Sequence, residues 1–155
     1  MTAKEFLLTA WRIESRIDDK LREIDRLDEK RERIMARLTA GRSANLTGMP
    51  RGGRYDWTDS LEAVIETDKA LNDLKEKIRR EISDLCRAKR EVAAAINAVE
   101  DLRYRRVLEL RYRNYLEWQD IAERMGYDVR HVTRLHGDAL QAVKHVLECP
   151  SASVV

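Results

Sequence analysis

Cysteine is almost missing from this chain. Cys86 and Cys149 are the two present among 155 residues. Two thiols cannot build a disulfide framework, which argues against a stapled secreted scaffold and fits a reducing compartment. Proline occurs twice and glycine six times, too little punctuation for an all-β fold with its many tight turns. The longest purely apolar run, Val92 to Ile96, is about five residues, against the roughly 18 that would suggest a membrane span. Phe6 to Trp11 is too short for a signal-peptide core, and acidic Glu5 and Glu14 flank it. Charge of one sign is also lacking: Lys and Arg total 30 against 28 Asp and Glu, a net of +2. No single-signed field therefore marks the chain as a nucleic-acid binder.

What fills the chain instead is Ala, Glu, Lys, Leu and Arg, which supply 78 of the 155 residues. Half the chain in these five types points to long helices or coiled coil, and the length suits a single domain. Arg outnumbers Lys by 22 to 8, and His131, His136 and His145 all lie in the last quarter. Guanidinium forks suit phosphates and base edges, although most arginines of the first hundred residues read as decoration of solvated helix faces.

The hydropathy pattern predicts an all-α chain: a long antiparallel helical hairpin over 1–100, a helix-turn-helix module over 101–148 and a flexible tail over 149–155. Thr2 followed by Glu5 is a capping box, so a helix starts there. Ala10, Ile13, Ile17, Lys20, Ile24, Leu27, Arg31, Ile34 and Leu38 recur in steps of three and four, a heptad seam of about four repeats. The break runs from Thr39 to Trp57 and holds Gly41, Gly48, Gly52, Gly53 and Pro50. It reads first as a basic hairpin connection and second as an arm for DNA phosphates; it lacks the ending of a P-loop. A second helix is expected to start at Asp59, with its seam through Leu61, Val64, Asp68, Leu71, Lys75, Ile78, Ile82, Leu85, Lys89, Val92, Ile96 and Val99. Two such helices bury their stripes on each other and leave apolar edge for a second copy, so a homodimer is expected.

From Asp101 the pattern changes. Leu102, Tyr104, Val107, Leu108, Tyr112 and Tyr115 form the apolar side of a helix carrying Arg103, Arg105, Arg106, Arg111 and Arg113, the densest basic cluster in the chain. After a short connection, Trp118 opens a segment with helix-turn-helix spacing. Counting Trp118 as one, Ile121 falls at four, Ala122 at five, Met125 at eight, Gly126 at nine, Val132 at fifteen and Leu135 at eighteen. A small residue at five lets two helices cross closely. Glycine at nine accepts the left-handed conformation that ends the first helix, and Asp128 caps the second. An ordinary helical corner needs a glycine and apolar residues, but not alanine at that offset.

The second helix turns Val132, Leu135, Ala139, Leu140, Val143 and Leu147 inward. It turns Arg130, His131, Thr133, Arg134, Gly137, Asp138 and Gln141 outward. The expected base-reading residues are Arg130, His131, Thr133 and Arg134, since the start of such a helix reaches major-groove edges. The expected backbone contacts are Arg103, Arg105, Arg106, Arg111, Arg113, Trp118, Gln119 and Lys144. His145 and Cys149 lie four apart, but two ligands do not make a zinc site. No nucleophile–base constellation stands out, so neither an enzyme nor a metal or cofactor is expected.

Arg103 to Leu147 resembles the promoter-reading region four of bacterial sigma factors, through Val107-Leu108-Glu109-Leu110-Arg111-Tyr112, Trp118-Gln119-Asp120-Ile121-Ala122 and Arg134-Leu135-His136 with Ala139-Leu140. The whole chain resembles a family of small phage and prophage proteins of unassigned function, in Met1-Thr2-Ala3-Lys4-Glu5, Gly48-Met49-Pro50-Arg51-Gly52-Gly53 and this sigma-like end. The resemblance implies phage transcription control in a bacterial cytoplasm at the nucleoid, and raises host RNA polymerase as a partner. It maps Arg130, Thr133 and Arg134 onto sigma residues that touch bases; Val129 and His131 match less well. Arg130 replaces an acidic residue common in sigma, so the target should differ. Nothing here resembles the sigma region that melts promoters. The readings to separate are a double-stranded DNA regulator, a small terminase-like DNA-packaging subunit and a coiled-coil adaptor that binds protein alone.

Overall fold

The computed structural model describes residues 1–44 and 57–149, with side chains described for 1–40 and 58–149. All regular structure among them is helical. The elements are α1 (Ala3–Leu7), α2 (Thr9–Ala44), α3 (Trp57–Asn97), α4 (Leu102–Leu108), a π-helical turn (Glu109–Arg113), α5 (Trp118–Met125) and α6 (Val129–Glu148). Among the described residues no helix is long and apolar enough to cross a membrane.

The cap at the start of the chain forms as its sequence predicts, but the single helix expected from Thr2 to Leu38 is divided at Leu8 into α1 and α2. The Thr2 hydroxyl accepts from the Glu5 amide and the Glu5 carboxylate accepts from the Thr2 amide, the reciprocal capping box. Two starts and stops differ. α2 runs on to Ala44, beyond Leu38 and the expected break at Thr39. α3 begins at Trp57, so Asp59 lies in its first turn and is not its cap. The central glycine-rich expectation, Gly48 to Gly53, and the expected tail beyond Cys149 lie outside the described residues.

The chain divides into two compact units, one of residues 1–14 and 83–155 and one of residues 15–82. This differs from a boundary at residue 100: the first residues and the end of α3 belong with the last third.

In the unit of residues 15–82, α2 and α3 run antiparallel. Lys20 pairs with Glu81 at 2.8 Å and bonds both carboxylate oxygens, and Arg31 pairs with Asp68 at 2.6 Å. The α2 seam is buried or half-buried at every expected position from Ile17 to Leu38. The α3 seam corrects the expectation at alternate positions. Val64, Leu71 and Ile78 face inward as expected. Their partners in the repeat are Thr67, Leu74 and Glu81, and not Asp68, Lys75 and Ile82; in the other unit Ala88 is buried and Lys89 exposed. The Thr67 hydroxyl donates to the Ala63 carbonyl at 2.7 Å, so burying it leaves no unpaired donor. Leu61 and Ile82 are exposed.

The other unit holds two apolar clusters. One gathers Ala3 and Leu7 of α1, Val92 and Ile96 of α3, Val99, Leu108, Tyr112, and Ala139 and Val143 of α6. The second gathers Leu110, Ile121, Ala122 and Val132, with Leu116, Trp118 and Met125 at its edge. α6 therefore contributes to both clusters, and α1 packs on it.

Candidate nucleic-acid interface

The frame comes first. Asp101 caps α4, its carboxylate accepting from the Arg103 amide at 2.7 Å. The helix then widens into the π-helical turn, where the Asn114 amide donates to the Glu109 carbonyl at 3.1 Å. Leu108 and Tyr112 are buried in the first apolar cluster and Leu110 in the second, so this stretch is covered on two sides. The chain leaves through Tyr115, a non-glycine residue at φ 56. Burial, and then the adjacent Glu14 carboxylate, push the Tyr115 phenol up to about 12.

α5 and α6 follow, joined by residues 126–128. Ile121 and Val132 are wholly buried in one cluster, with Ala122 buried beside them. Gly126 takes the left-handed conformation (φ 70, ψ 30), and the Tyr127 amide closes on the Ala122 carbonyl at 3.0 Å. The Asp128 carboxylate caps α6 by accepting from the His131 amide at 2.7 Å. Met125 is half-buried and Leu135 buried. Gly126 thus ends α5 and Asp128 caps α6, as the sequence predicts for those two residues.

The outer side of α6 carries Arg130, Thr133, Arg134, Gly137, Asp138 and Gln141, all exposed. Neither Arg130 nor Arg134 has an ion pair or hydrogen bond within the described chain. The Thr133 hydroxyl donates to the Val129 carbonyl at 2.8 Å. His131 is only half-exposed, edge-on to Tyr127 at 4.7 Å between ring centroids. A Cβ on Gly137 would meet nothing within 4 Å, so packing within the chain does not demand glycine there. Leu147, expected inward, is 39% exposed, because α6 has passed the end of the cluster it packs on. Leu102, expected on the apolar side of its helix, is 72% exposed at the first turn of α4.

The basic cluster separates into two groups. Arg105 donates twice to the Val99 carbonyl, at 2.8 and 3.3 Å, and ties α4 to the connection that follows α3. Arg111 donates to the Leu116 carbonyl at 2.8 Å and lies 4.6 Å over the Trp118 ring. Both guanidinium groups are built into the frame. Arg103 pairs with Asp101 at 3.0 Å and Arg106 with Glu109 at 3.8 Å, each with its head in water. Arg113 and Gln119 are exposed, and exposed Lys144 lies 3.8 Å from Glu148. Trp118 is half-buried, packed edge-on against His136 at 4.8 Å.

His136 sits at the centre of this frame. Its Nε2 shares a hydrogen bond with the Tyr112 hydroxyl at 2.9 Å, and the two rings stack. Burial pulls its pKa down to about 4, and the nearby Arg111 and Lys4 charges act in the same direction. It is a neutral core histidine near pH 7. The residues sequence reasoning missed are Leu110, the Arg105 strap and the docking of α1. The Phe6-Leu7-Leu8 run, which does not fit the heptad that follows it, was the available signal for the last. Among the described residues no three His, Cys, Asp or Glu side chains are placed to hold a metal ion.

No protein-family model, no curated protein and no solved structure matches this chain.

Proposed function

We propose that this chain is a sequence-specific double-stranded DNA-binding regulator of phage or prophage type, acting as a homodimer. α5 and α6 serve as a helix-turn-helix pair, with α6 the element that enters the major groove. The observation that carries the reading is the Arg130–Arg134 pair. Both arginines are exposed, four residues apart and uncommitted within the described chain, on the first half of a helix whose other side is buried. An arginine that no internal partner holds keeps its fork for guanine O6 and N7, worth about 1–3 kcal/mol of discrimination per bidentate contact. Thr133 adds a methyl for thymine. Arg113, Gln119, Lys144, Arg103 and Arg106 supply phosphate contacts and hence salt dependence. Arg105, Arg111 and Trp118 act through the frame that presents them. The likeness to sigma region four supports a role at promoters and contact with host RNA polymerase.

The test is selection of duplexes from a random library by the purified full chain. The reading predicts enrichment of one motif that contains guanine. Retention of no duplex even at low salt would overturn it and favour the protein-binding adaptor.

A further inference from the structure

In the unit of residues 15–82, the Lys20–Glu81 ion pair fixes the layers between α2 and α3. Leu27 then lies level with Leu74, and Ile34 with Thr67. The residue that follows each of these seam positions flanks the seam on one common side. On α2 these are Leu21, Asp28 and Met35; on α3 they are Leu61, Asp68, Lys75 and Ile82. Four of the seven are large apolar side chains that stand in water: Leu21 46%, Met35 40%, Leu61 39% and Ile82 46% exposed. Ile65, one turn from Leu61 on the same flank, is 50% exposed. Asp68 is already neutralised by Arg31. Asp28 and Lys75 are exposed at the same level, and neither has an ion pair within the described chain. The opposite flank of α2 is of another kind, a groove lined by Glu23, Arg26, Lys30, Arg33 and Arg37 around Leu27 and Ile34. One flank of α2 is thus lined by charge, while the other flank of the pair carries an interrupted apolar stripe, Leu21, Met35, Leu61, Ile65 and Ile82 among exposed Asp25, Asp28, Glu32, Lys75 and Arg79, that a monomer leaves wet.

We infer that this stripe is the homodimer face and that a second copy of this chain covers it, with the two-fold axis parallel to the helices. The inference deepens the pairing part of the proposed function and does not depend on DNA. The occupant follows from complementarity. A two-fold axis along the helices lays α2 of one copy over α3 of the other at equal height. Leu21 then meets Ile82 of the second copy, Met35 meets Ile65, and Asp28 meets Lys75, each contact made twice. The product is a four-helix bundle. An axis across the helices at the level of Asp28 would instead set Asp28 on Asp28 and Lys75 on Lys75, a like-charge arrangement that opposes docking.

The test is the mass of the full chain in solution without DNA, by sedimentation equilibrium. Wild type is expected as a dimer. Asp28→Lys alone and Lys75→Asp alone each create two like-charge contacts and should weaken the dimer by about thirty- to a hundredfold. Mixing the two single variants should restore a dimer, because every contact across the face then joins a lysine of one variant to an aspartate of the other. Pairing within one chain cannot give that rescue. Ile82→Gln should keep the helical content, since Ile82 is exposed, and lose the dimer. A wild-type dimer that Ile82→Gln leaves intact, or mixed variants that stay monomeric, would overturn this face and leave pairing elsewhere. A wild-type monomer would overturn both.

Discussion

Acidification should weaken the frame beneath α6 through one residue, His136. Its imidazole is half-buried between Tyr112 and Trp118, and burial with the Arg111 and Lys4 charges lowers its pKa from the ordinary 6.5 to about 4. The folded state therefore holds the neutral ring, and the unfolded chain takes up a proton first. Stability is fully present above about pH 6.5 and is lost progressively as pH falls towards about 4. At about 1.4 kcal/mol per pKa unit the whole shift corresponds to roughly 3 kcal/mol. The ring keeps partial access to water, and screening brings the expected loss to about 1.5 kcal/mol. The assay is urea unfolding followed by helical circular dichroism at about pH 7 and about pH 4.5. His136→Gln keeps a hydrogen-bond partner for Tyr112 and cannot titrate, so it subtracts the carboxylates' contribution. Wild type should lose about 1–1.5 kcal/mol more than His136→Gln over this interval. Equal losses, or an imidazole that titrates at its ordinary value by NMR, would refute the reasoning.

Two further outcomes test how α6 is held. Gly126→Ala should cost about 1–2 kcal/mol, since φ 70 is strained for a residue with a Cβ even though open space surrounds it; an unchanged unfolding midpoint would contradict this. Arg105→Ala should lower stability by about 1.5–3 kcal/mol through loss of its charged bonds to the Val99 carbonyl, with any DNA effect following from that loss. A variant of full stability whose DNA affinity alone falls would return Arg105 to the phosphate contacts.

Local signals were the readable ones. The Thr2–Glu5 box, the left-handed Gly126 and the Asp128 cap each act within a few residues, and all three formed as their chemistry required. The α2 seam was legible because most of the residues between its apolar positions are charged. The α3 seam was ambiguous because two adjacent stripes each carry apolar groups: one through Leu74, Ala88 and Ala95, the other through Leu61, Ile82 and Ile96. What separates them lies far away in sequence: the first stripe faces α2, where Glu81 meets Lys20. The π-helical turn, the Arg105 strap and the docking of α1 were hidden for the same reason, since each depends on what the segment meets across the fold. Arg105 and Arg113 read alike in sequence. Only the carbonyl of Val99 separates a structural guanidinium from one left in water.

If the outer side of α6 reads bases, its substitutions change the ratio of cognate to random duplex affinity. Arg134→Ala leaves the buried side of α6 untouched and removes one uncommitted fork. That ratio is expected to fall about tenfold or more, with little change in affinity for random duplex. An unchanged ratio for Arg134→Ala, and again for Arg130→Ala, would contradict it.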